Sequence, residues 1–353
     1  MLFRSFDYNE EQQLLADSVR RFLQKDYDFE ARRKIVAGKG WSPEAWAQFA
    51  QMGLTGIPVS ADHGGFGGGA VDLMGVMEAF GEALVVEPYL PTVLAARILG
   101  RSGSGILPAV VEGTIKLAFA HTEKGARYAL DAVRLSASNG RLNGEKSAVV
   151  GAPVADKLVV SARSGEGIGL YLVDRPEVKP FRTLDERLAA DVIFKDVKAE
   201  KLQGGLELIE EAADFGAALA CAEAVGTMKF ACDTTLEYLK TRKQFGMPIG
   251  AFQALQHRMV DMFISCEQAR SMACLACSRM DQAESPRERA RAISSAKIKI
   301  ADAARHISQE AVQLHGGMGM SEELKVSHAF RRLTVLAREF GDADYHLARF
   351  ASL

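Results

Sequence analysis

A thirteen-residue stretch, T-R-K-Q-F-G-M-P-I-G-A-F-Q, combines residue types that can hold a phosphorylated cofactor. Its arginine carries a planar guanidinium that can bind a phosphate through two hydrogen bonds at once. Its glutamines add donors and acceptors, and its phenylalanines offer flat apolar faces. These residues are Arg242, Gln244, Phe245, Phe252 and Gln253. The set suits a dinucleotide that has a pyrophosphate and large ring systems.

Two helical patterns must position this stretch, because apolar residues recur at helical spacing on both sides of it. Gly246, Pro248 and Gly250 interrupt the period, so the sequence predicts a connection between two helices. Arg242 is therefore expected to project from a helix end. The alternative interpretation is a polar helix–helix loop with two core aromatic residues. The apolar residues at helical spacing are Leu219, Val225, Met228, Cys232 and Leu236 before the stretch and Leu255, Met259, Met262 and Phe263 after it.

A second segment near the C-terminus, Gln313–Met320, reads Q-L-H-G-G-M-G-M. Together, the two segments resemble the C-terminal helical domain of the acyl-CoA dehydrogenase family. In that family an R-x-x-F-G turn and a Q-x-x-G-G-x-G turn hold FAD across a subunit boundary. The glycines allow the backbone to approach a cofactor closely. The resemblance implies FAD contacts at Arg242, Gln244, Phe245, Ile249, Phe252, Gln253, Gln313, Leu314, Gly316 and Gly317.

Length and composition are ordinary for a globular protein. The chain has 353 residues, 48% of them hydrophobic and 25% charged, which suffices for a large core and two or three domains. The formal net charge is −2 and no dense basic tract occurs, so nucleic-acid binding has no electrostatic support. The start of the chain lacks an apolar signal core, and no apolar run reaches transmembrane length. We expect a cytoplasmic protein without a membrane span.

No motif predicts a metal site. Five cysteines, an odd number, fit a reducing compartment. Cys274 and Cys277 form a C-x-x-C pair, but they lie in an Ala- and Met-rich helical pattern with no second pair. We expect them to be buried thiols. The seven histidines show no metal-ligand spacing.

The periodicity changes twice along the chain. Helical patterns fill roughly the first 114 residues, short strand-like segments separated by turn residues fill 115–203, and helical patterns return from 204 to 353. Ser138-Asn139-Gly140 predicts a hairpin turn between two of the strands. The resemblance implies the same division. We expect an α+β multidomain protein with an N-terminal α-helical domain, a central β-barrel domain and a C-terminal four-helix bundle.

The resemblance extends over the whole chain. Gly64-Gly65-Phe66-Gly67 looks like the family's N-terminal G-G-x-G loop, and Thr122-Glu123 resembles a segment that approaches the flavin, which makes Thr122 a further FAD contact. Segments such as Cys221–Gly226 are most similar to the smaller subunits that bacteria pair with a larger homologue, as in pimeloyl-CoA dehydrogenase. The chain departs from the family where a tryptophan usually covers the flavin, because Ala148 takes that position.

The reaction that the resemblance implies is α,β-dehydrogenation of an acyl-CoA thioester. A carboxylate removes the α-proton while a hydride leaves the β-carbon for flavin N5, and positioned donors stabilise the enolate. The family's usual glutamate position falls on Phe340. We predict Asp342 as the base, with Glu339 as the alternative and Asp344 as a weaker option. Some relatives take the base from a position that is Gly216 here, with Asp214 two residues away.

Three basic residues need a separate interpretation. His315 could serve as an acid, but we expect it to fill space beside the dinucleotide. Arg331 and Arg332 are expected on a solvated helix face, with a subunit contact or the phosphates of CoA as alternatives.

Three functions remain open at this point. The first is an acyl-CoA dehydrogenase that passes electrons to an electron-transfer flavoprotein. The second is a non-catalytic small subunit that completes the FAD site of a larger homologous subunit, since Arg242 and Gln313 would then serve across the interface. The third is an oxidase or monooxygenase on the same fold. Because the family's motifs act across subunit interfaces, the resemblance implies a homo- or hetero-oligomer, either a dimer or a dimer of dimers.

Overall fold

The computed structural model describes residues 8–353 and is dominated by helices. Strands occupy the middle of the sequence, as its periodicity predicts. The helices are α1 (Glu10–Asp26), α2 (Phe29–Ala37), α3 (Pro43–Gln51), α4 (Ala70–Ala83), α5 (Tyr89–Ser102), α6 (Leu107–Val111), α7 (Leu206–Thr241), α8 (Gln253–Gln282), α9 (Pro286–His315), α10 (Lys325–Leu336) and α11 (Ala343–Ser352). The strands are β1 (Leu117–Ala120), β2 (Ser136–Ser138), β3 (Arg141–Val150), β4 (Lys157–Ser164), β5 (Gly167–Asp174), β6 (Glu177–Arg182), β7 (Leu188–Lys198), β8 (Glu200–Leu202), β9 (Lys243–Gln244) and β10 (Met247–Pro248).

The described chain forms two compact units. The first comprises the chain up to Arg32, Ala70–Val85 and Ala217–Leu353. The second comprises Arg33–Gly69 and Val86–Gly216. Helix α7 contributes its first part to the second unit and the rest to the first unit. The three domains that the sequence predicts, 1–114, 115–203 and 204–353, stay a prediction.

The first unit is helical, and its helices α4 and α7 cross with their backbones in contact. A Cβ atom at Gly81 would lie 2.0 Å from the carbonyl oxygen of Glu223, and one at Gly226 would lie 1.9 Å from that of Glu78. The hydroxyl of Thr227 donates to the carbonyl of Gly81 across the same crossing (3.0 Å). Only glycine allows an approach this close. The crossing therefore fixes α7, the helix that ends at the cofactor motif.

Local sequence signals explain where several helices begin. Asn9 and Gln12 form a capping box at the start of α1. The Asn9 side chain accepts from the N–H of Gln12 (2.8 Å), and the Gln12 side chain accepts from the N–H of Asn9 (3.1 Å). Ser42 caps α3, whose first residue is Pro43. In the C-terminal part, α7, α8 and α9 are long helices, and α10 and α11 are short ones.

The second unit contains an eight-stranded sheet that is not a closed barrel. The strands follow the order β6-β7-β3-β2-β4-β5-β8, and β1 pairs in parallel with β4. The two end strands do not pair with each other. Both are poor partners, since Pro180 in β6 has no N–H to donate and β8 has only three residues. The prediction of a β-barrel was therefore wrong in its closure, although the strand-rich middle of the chain is confirmed.

The predicted hairpin turn is confirmed at Asn139 and Gly140. They have φ values of +49° and +70°, as a two-residue turn of the I′ type requires, and Ser138 pairs with Arg141 across it. Inward residues of β3, β4, β5 and β7 form the core of this sheet, with Leu142, Leu158 and Val192 wholly buried.

Helix α7 is long and apolar enough to cross a membrane by length and composition alone. However, 89% of its most apolar window is buried inside the protein. A core helix passes the same test, so α7 is only weak evidence of a membrane span.

The α4–α7 crossing predicts a large effect of Gly226→Ala. The new Cβ atom would overlap a backbone oxygen that cannot move independently, so we expect a loss of about 3 kcal/mol in the free energy of unfolding. Gly100→Ala in α5 is the matched control. Nothing lies within 4 Å of its Cβ position, so it should be neutral or stabilising by about 0.5–1 kcal/mol. Urea titration followed by circular dichroism measures both, and equal stabilities would contradict the close crossing.

Candidate functional site

The segment between α7 and α8 is a protruding hairpin that follows directly on Arg242. Strands β9 and β10 pair antiparallel around Phe245 and Gly246, whose φ values are +53° and +82°. Two positive φ values are again typical of a tight I′ turn. The carbonyl of Arg242 accepts a hydrogen bond from the N–H of Ile249 (2.8 Å), which closes the base of the hairpin. The predicted connection is confirmed, although the sequence did not indicate the short ladder.

A cavity of about 560 Å³ lies beside this hairpin in the first unit. Helix α9 ends at His315, and the turn Gly316–Met320 forms part of the wall. The cavity brings together predicted residues from both sequence motifs: Arg242, Gln244, Ile249, Gln313, Leu314, Gly316 and Gly317. Phe245, Phe252 and Gln253, also predicted as FAD contacts, are not among its lining residues.

Phe245 and Phe252 lie together on the outside of the hairpin. The Phe245 side chain is 90% exposed, and its ring meets the Phe252 ring edge-to-face at a centroid distance of 6.0 Å. Gln253, the first residue of α8, is also exposed. Aromatic rings left in water in this way are typical of a surface that another molecule covers.

Arg242 supplies the uncompensated positive charge of the cavity. Arg258, on the same wall, is neutralised by Glu310 at 2.6 Å, which raises the Arg258 pKa further. Within residues 8–353, the Arg242 side chain has neither an ion pair nor a hydrogen bond. The Gln313 amide likewise has no partner within this range. An unpaired guanidinium beside a free amide is the donor set that a phosphate group requires.

The glycines of the second motif fall into two kinds. A Cβ atom at Gly319 would meet the carbonyl oxygen of Val312 at 2.4 Å, so this glycine serves the close packing of the turn against α9. Gly316 and Gly317 have nothing within 4 Å of their Cβ positions. They leave open space along the cavity wall, where backbone can approach a ligand.

His315 forms a neutral, packed wall of the cavity. It is 4% exposed, its Nδ1–H donates to the carbonyl of Ala311 (2.8 Å), and its ring stacks on Tyr238 at 4.4 Å. Burial lowers the pKa of His315 and keeps the imidazole uncharged at neutral pH. This packing supports a space-filling role. The sequence did not indicate Tyr238 or Arg258 as cavity residues, because both lie inside ordinary helical patterns.

The predicted bases already have structural partners. Asp342 is the N-cap of α11 and accepts a hydrogen bond from the N–H of Tyr345 (2.9 Å). Glu339 lies 3.3 Å from the guanidinium of Arg332. Asp344 is exposed in the first turn of α11. Neither Asp342 nor Glu339 lines the cavity, so catalysis by either one stays a prediction.

Phe340, at the position expected for the family's glutamate, adopts φ +61°, and Gly341 follows with φ +120°. A Cβ atom at Gly341 would lie 2.5 Å from the His346 ring, so a glycine is required here. The carbonyl of Phe340 accepts from Nε2 of His346 (3.1 Å). The backbone turn is thus fixed, while its side chain is an apolar ring rather than a carboxylate.

The expectation of two solvated arginines was wrong for Arg332. Its guanidinium is 3% exposed and forms two bonds of 2.6 Å to the carboxylate of Glu223. A buried carboxylate on α7 draws it inward, since an isolated charge could not be buried there. Arg331 remains partly exposed and pairs with Glu322 at 2.8 Å. Cys274 and Cys277 are free, buried thiols in α8, as predicted.

Thr122 lies in the second unit, just after β1. Its side chain is exposed, and its carbonyl accepts from the N–H of Ser147 in β3 (2.8 Å). Ala148 follows in an irregularity of β3, where the pairing with β7 shifts between Lys146 and Val149, and it adopts φ +53°. The alanine is exposed at the place where the family usually carries a tryptophan.

The chain matches two family models over most of its length. Residues 9–105 match the N-terminal domain of acyl-CoA dehydrogenases, and residues 203–352 match the C-terminal domain, which contains both cofactor motifs. The chain belongs to the acyl-CoA dehydrogenase family. It is an oxidoreductase and a flavoprotein whose cofactor is FAD. The more specific likeness to a pimeloyl-CoA dehydrogenase small subunit is not confirmed.

Individual relatives support this assignment. The caffeyl-CoA reductase–Etf complex subunit CarC of Acetobacterium woodii is 28% identical, with 92% of this chain and 93% of that protein covered. The structure of the ChsE4–ChsE5 complex from Mycobacterium tuberculosis matches with a TM-score of 0.90 at 26% identity, over 99% of this chain and 98% of that one. The FAD complex of PigA matches with a TM-score of 0.88 at 26% identity, over 99% and 98%.

The cavity residues fit the phosphate part of FAD. The unpaired guanidinium of Arg242 can neutralise a pyrophosphate, and the Gln313 amide can donate to it. Gly316 and Gly317 leave room for the ligand along the wall. Because His315 is neutral, it adds no positive charge to the cavity.

We therefore expect Arg242→Ala to weaken FAD binding by about 10- to 100-fold, because a charge-assisted hydrogen bond contributes about 1.5–3 kcal/mol. Lys243→Ala is the matched control, since Lys243 is the neighbouring exposed cation and does not line the cavity. Quenching of FAD fluorescence on addition to the apoprotein measures both dissociation constants. Equal losses for the two variants would show that only the general charge of the hairpin matters.

Proposed function

We propose that this chain catalyses α,β-dehydrogenation of an acyl-CoA thioester as part of a cytoplasmic oligomer, with electrons passing to an electron-transfer flavoprotein. The observation that carries the proposal is the cavity in which Arg242 and Gln313 converge, since neither side chain has a partner in the described part of the chain, 8–353. FAD, when bound, supplies the acceptor for the hydride that leaves the β-carbon. The name of the relative CarC, an Etf-complex subunit, supports the electron-transfer partner.

Residues of this chain bind and orient the cofactor. Arg242 and Gln313 bind the pyrophosphate, with Gln244, Ile249, Leu314, Gly316 and Gly317 shaping the cavity wall. Phe245, Phe252 and Gln253, exposed on the hairpin, contact the FAD of a neighbouring subunit. Thr122, in the second unit, is a further proposed contact of the flavin.

Asp342 is the proposed acceptor of the α-proton, and Glu339 is the alternative. Asp342 follows the fixed Phe340–Gly341 turn and is only partly buried, so one carboxylate oxygen can face a substrate while the other caps α11. Glu339 has a stronger competing partner in Arg332. An arginine at this distance holds the carboxylate in place.

A second function is favoured by the aromatic residue at position 340. A chain that presents Phe340 where its family presents a glutamate is suited to complete the FAD site of a larger homologous subunit, as the small-subunit resemblance implies. The ChsE4–ChsE5 complex, whose name describes two different chains, supports such a pairing. In that case Arg242 and the hairpin would act on the cofactor of the partner.

Anaerobic titration of the purified chain with a panel of acyl-CoA thioesters tests the first function. We expect the visible flavin band to bleach with at least one thioester. Asp342→Asn should abolish bleaching without loss of stability, because asparagine caps a helix as well as aspartate does. Glu339→Gln is the matched control and should leave bleaching intact. Bleaching that survives in Asp342→Asn and disappears in Glu339→Gln would identify Glu339 as the base.

Phe340→Glu tests the second function. If the chain lacks a base of its own, wild-type flavin stays oxidised with every thioester, and Phe340→Glu should restore bleaching, by about 100-fold in rate or more. The fixed backbone around position 340 makes this substitution compatible with the fold. A wild-type chain that bleaches as fast as Phe340→Glu would rule out the non-catalytic role.

A further inference from the structure

Three consecutive residues follow β1, and each of them is hydrogen-bonded to one of two adjacent residues of β3, Lys146 and Ser147. The carbonyl of His121 accepts from Nζ of Lys146 (3.0 Å), and the carbonyl of Thr122 accepts from the N–H of Ser147 (2.8 Å). The carboxylate of Glu123 accepts from Nζ of Lys146 (2.7 Å). The backbone around Thr122 is therefore held on both sides and at its own carbonyl.

Lys146 is the centre of this arrangement and is wholly buried, with 0% of its side chain exposed. An ammonium group has three N–H donors. All three are used, by the His121 carbonyl, the Glu123 carboxylate and the hydroxyl of Ser161 in β4 (2.9 Å). A buried charge is stable only when it is paired and hydrogen-bonded in this way.

Glu123 extends the network to the segment before β2. One of its carboxylate oxygens accepts from the N–H of Arg134 (2.9 Å), and the other accepts from that of Leu135 (3.0 Å). The Ser161 hydroxyl, which accepts from Lys146, also forms a hydrogen bond with Nδ1 of His121 (2.8 Å). The network thus joins the chain around β1, β2, β3 and β4.

The charges of the network follow from its surroundings. Burial would raise the pKa of Glu123, but its bonds to Lys146 and to the two backbone N–H groups outweigh burial and lower it. Burial lowers the pKa of Lys146 to about 8, still above neutral pH. Burial and the nearby ammonium lower the pKa of His121 to about 4. At neutral pH the pair is ionised and His121 is uncharged.

Thr122 differs from its two neighbours. Glu123 is turned inward to the network and His121 is half-buried, while the Thr122 side chain is exposed and has no partner within residues 8–353. A rigid backbone with one free hydroxyl is suited to hold a ligand in a fixed orientation.

We infer that Lys146 and Glu123 are positioning residues that fix Thr122 for contact with the flavin. This role rests on the proposed function, in which Thr122 contacts FAD. Lys146 and Glu123 would fix the position of that contact. Lys146 itself is buried beneath the segment and acts through the backbone. Its loss should therefore alter how tightly FAD is held and how easily the flavin is reduced, even if the fold survives.

The test compares Lys146→Met with the double variant Lys146→Met/Glu123→Leu. The single variant leaves a buried carboxylate without its ammonium partner and should be unstable. The double variant replaces the whole ion pair with apolar side chains and should regain part of that stability, although the N–H groups of Arg134 and Leu135 lose their acceptor. Lys157→Met is the matched control, since Lys157 forms a more exposed ion pair with Asp174 in the same sheet. Thermal unfolding of the apoproteins establishes which variants are folded.

Two readouts then decide the inference. We expect amide hydrogen exchange of the peptide that spans His121–Glu123 to rise at least 10-fold in the double variant, a measurement that needs no bound FAD. We also expect FAD binding to weaken at least 10-fold and the flavin reduction potential to shift, with Lys157→Met unchanged. A folded double variant with wild-type exchange would overturn the positioning role.

A double variant with raised exchange but wild-type FAD affinity and potential would also overturn the inference, because the rigidity of the segment would then serve only the fold. Thr122→Ala separates this outcome from failure of the proposed function. If Thr122→Ala also binds FAD normally while acyl-CoA still bleaches the flavin, the dehydrogenase function stands and only the Thr122 contact fails. If no thioester bleaches the wild-type flavin, the proposed dehydrogenation by this chain fails, whatever the exchange data show.

Discussion

The contact between the backbones of α4 and α7 is the constraint on which the cofactor cavity depends. Gly81 and Gly226 allow the crossing, and from there α7 runs without interruption to Thr241. At about 1.5 Å per residue, an unbroken helix transmits the position of the crossing over four turns to Arg242. A stiff helix anchored by close packing places an arginine more reproducibly than a loop does. The hairpin then needs only to turn the chain back into α8.

The parts of the structure that the sequence predicted are those with a local cause. Asn139 and Gly140 predicted a tight turn because few other residues tolerate two positive φ values. The strands and helices followed from the period of their apolar residues. The two cofactor motifs were recognised because glycine, proline and arginine at fixed spacing are unusual between helices, and the structure brings most of their predicted residues into one cavity.

Buried charges could not be predicted in this way. Arg332 lies on the amphipathic helix α10, and nothing in the pattern of that helix shows that Glu223, more than one hundred residues away, is its partner. Lys146 gave a weak signal, because it is buried on β3 as Leu142 and Val149 are. The closure of the sheet was misjudged for a similar reason. Whether two edge strands meet depends on the curvature of all the strands between them.

The backbone of the turn that carries the expected base position is held by two hydrogen bonds. Nζ of Lys297, itself buried in α9, donates to the carbonyl of Glu339 (2.7 Å), and His346 donates to the carbonyl of Phe340. Gly341 leaves space for the His346 ring. None of these contacts involves the side chain at position 340. A carboxylate there can therefore be exchanged for a phenyl ring at little cost to the fold, which is compatible with the proposed base at Asp342 and equally with a base supplied by another subunit.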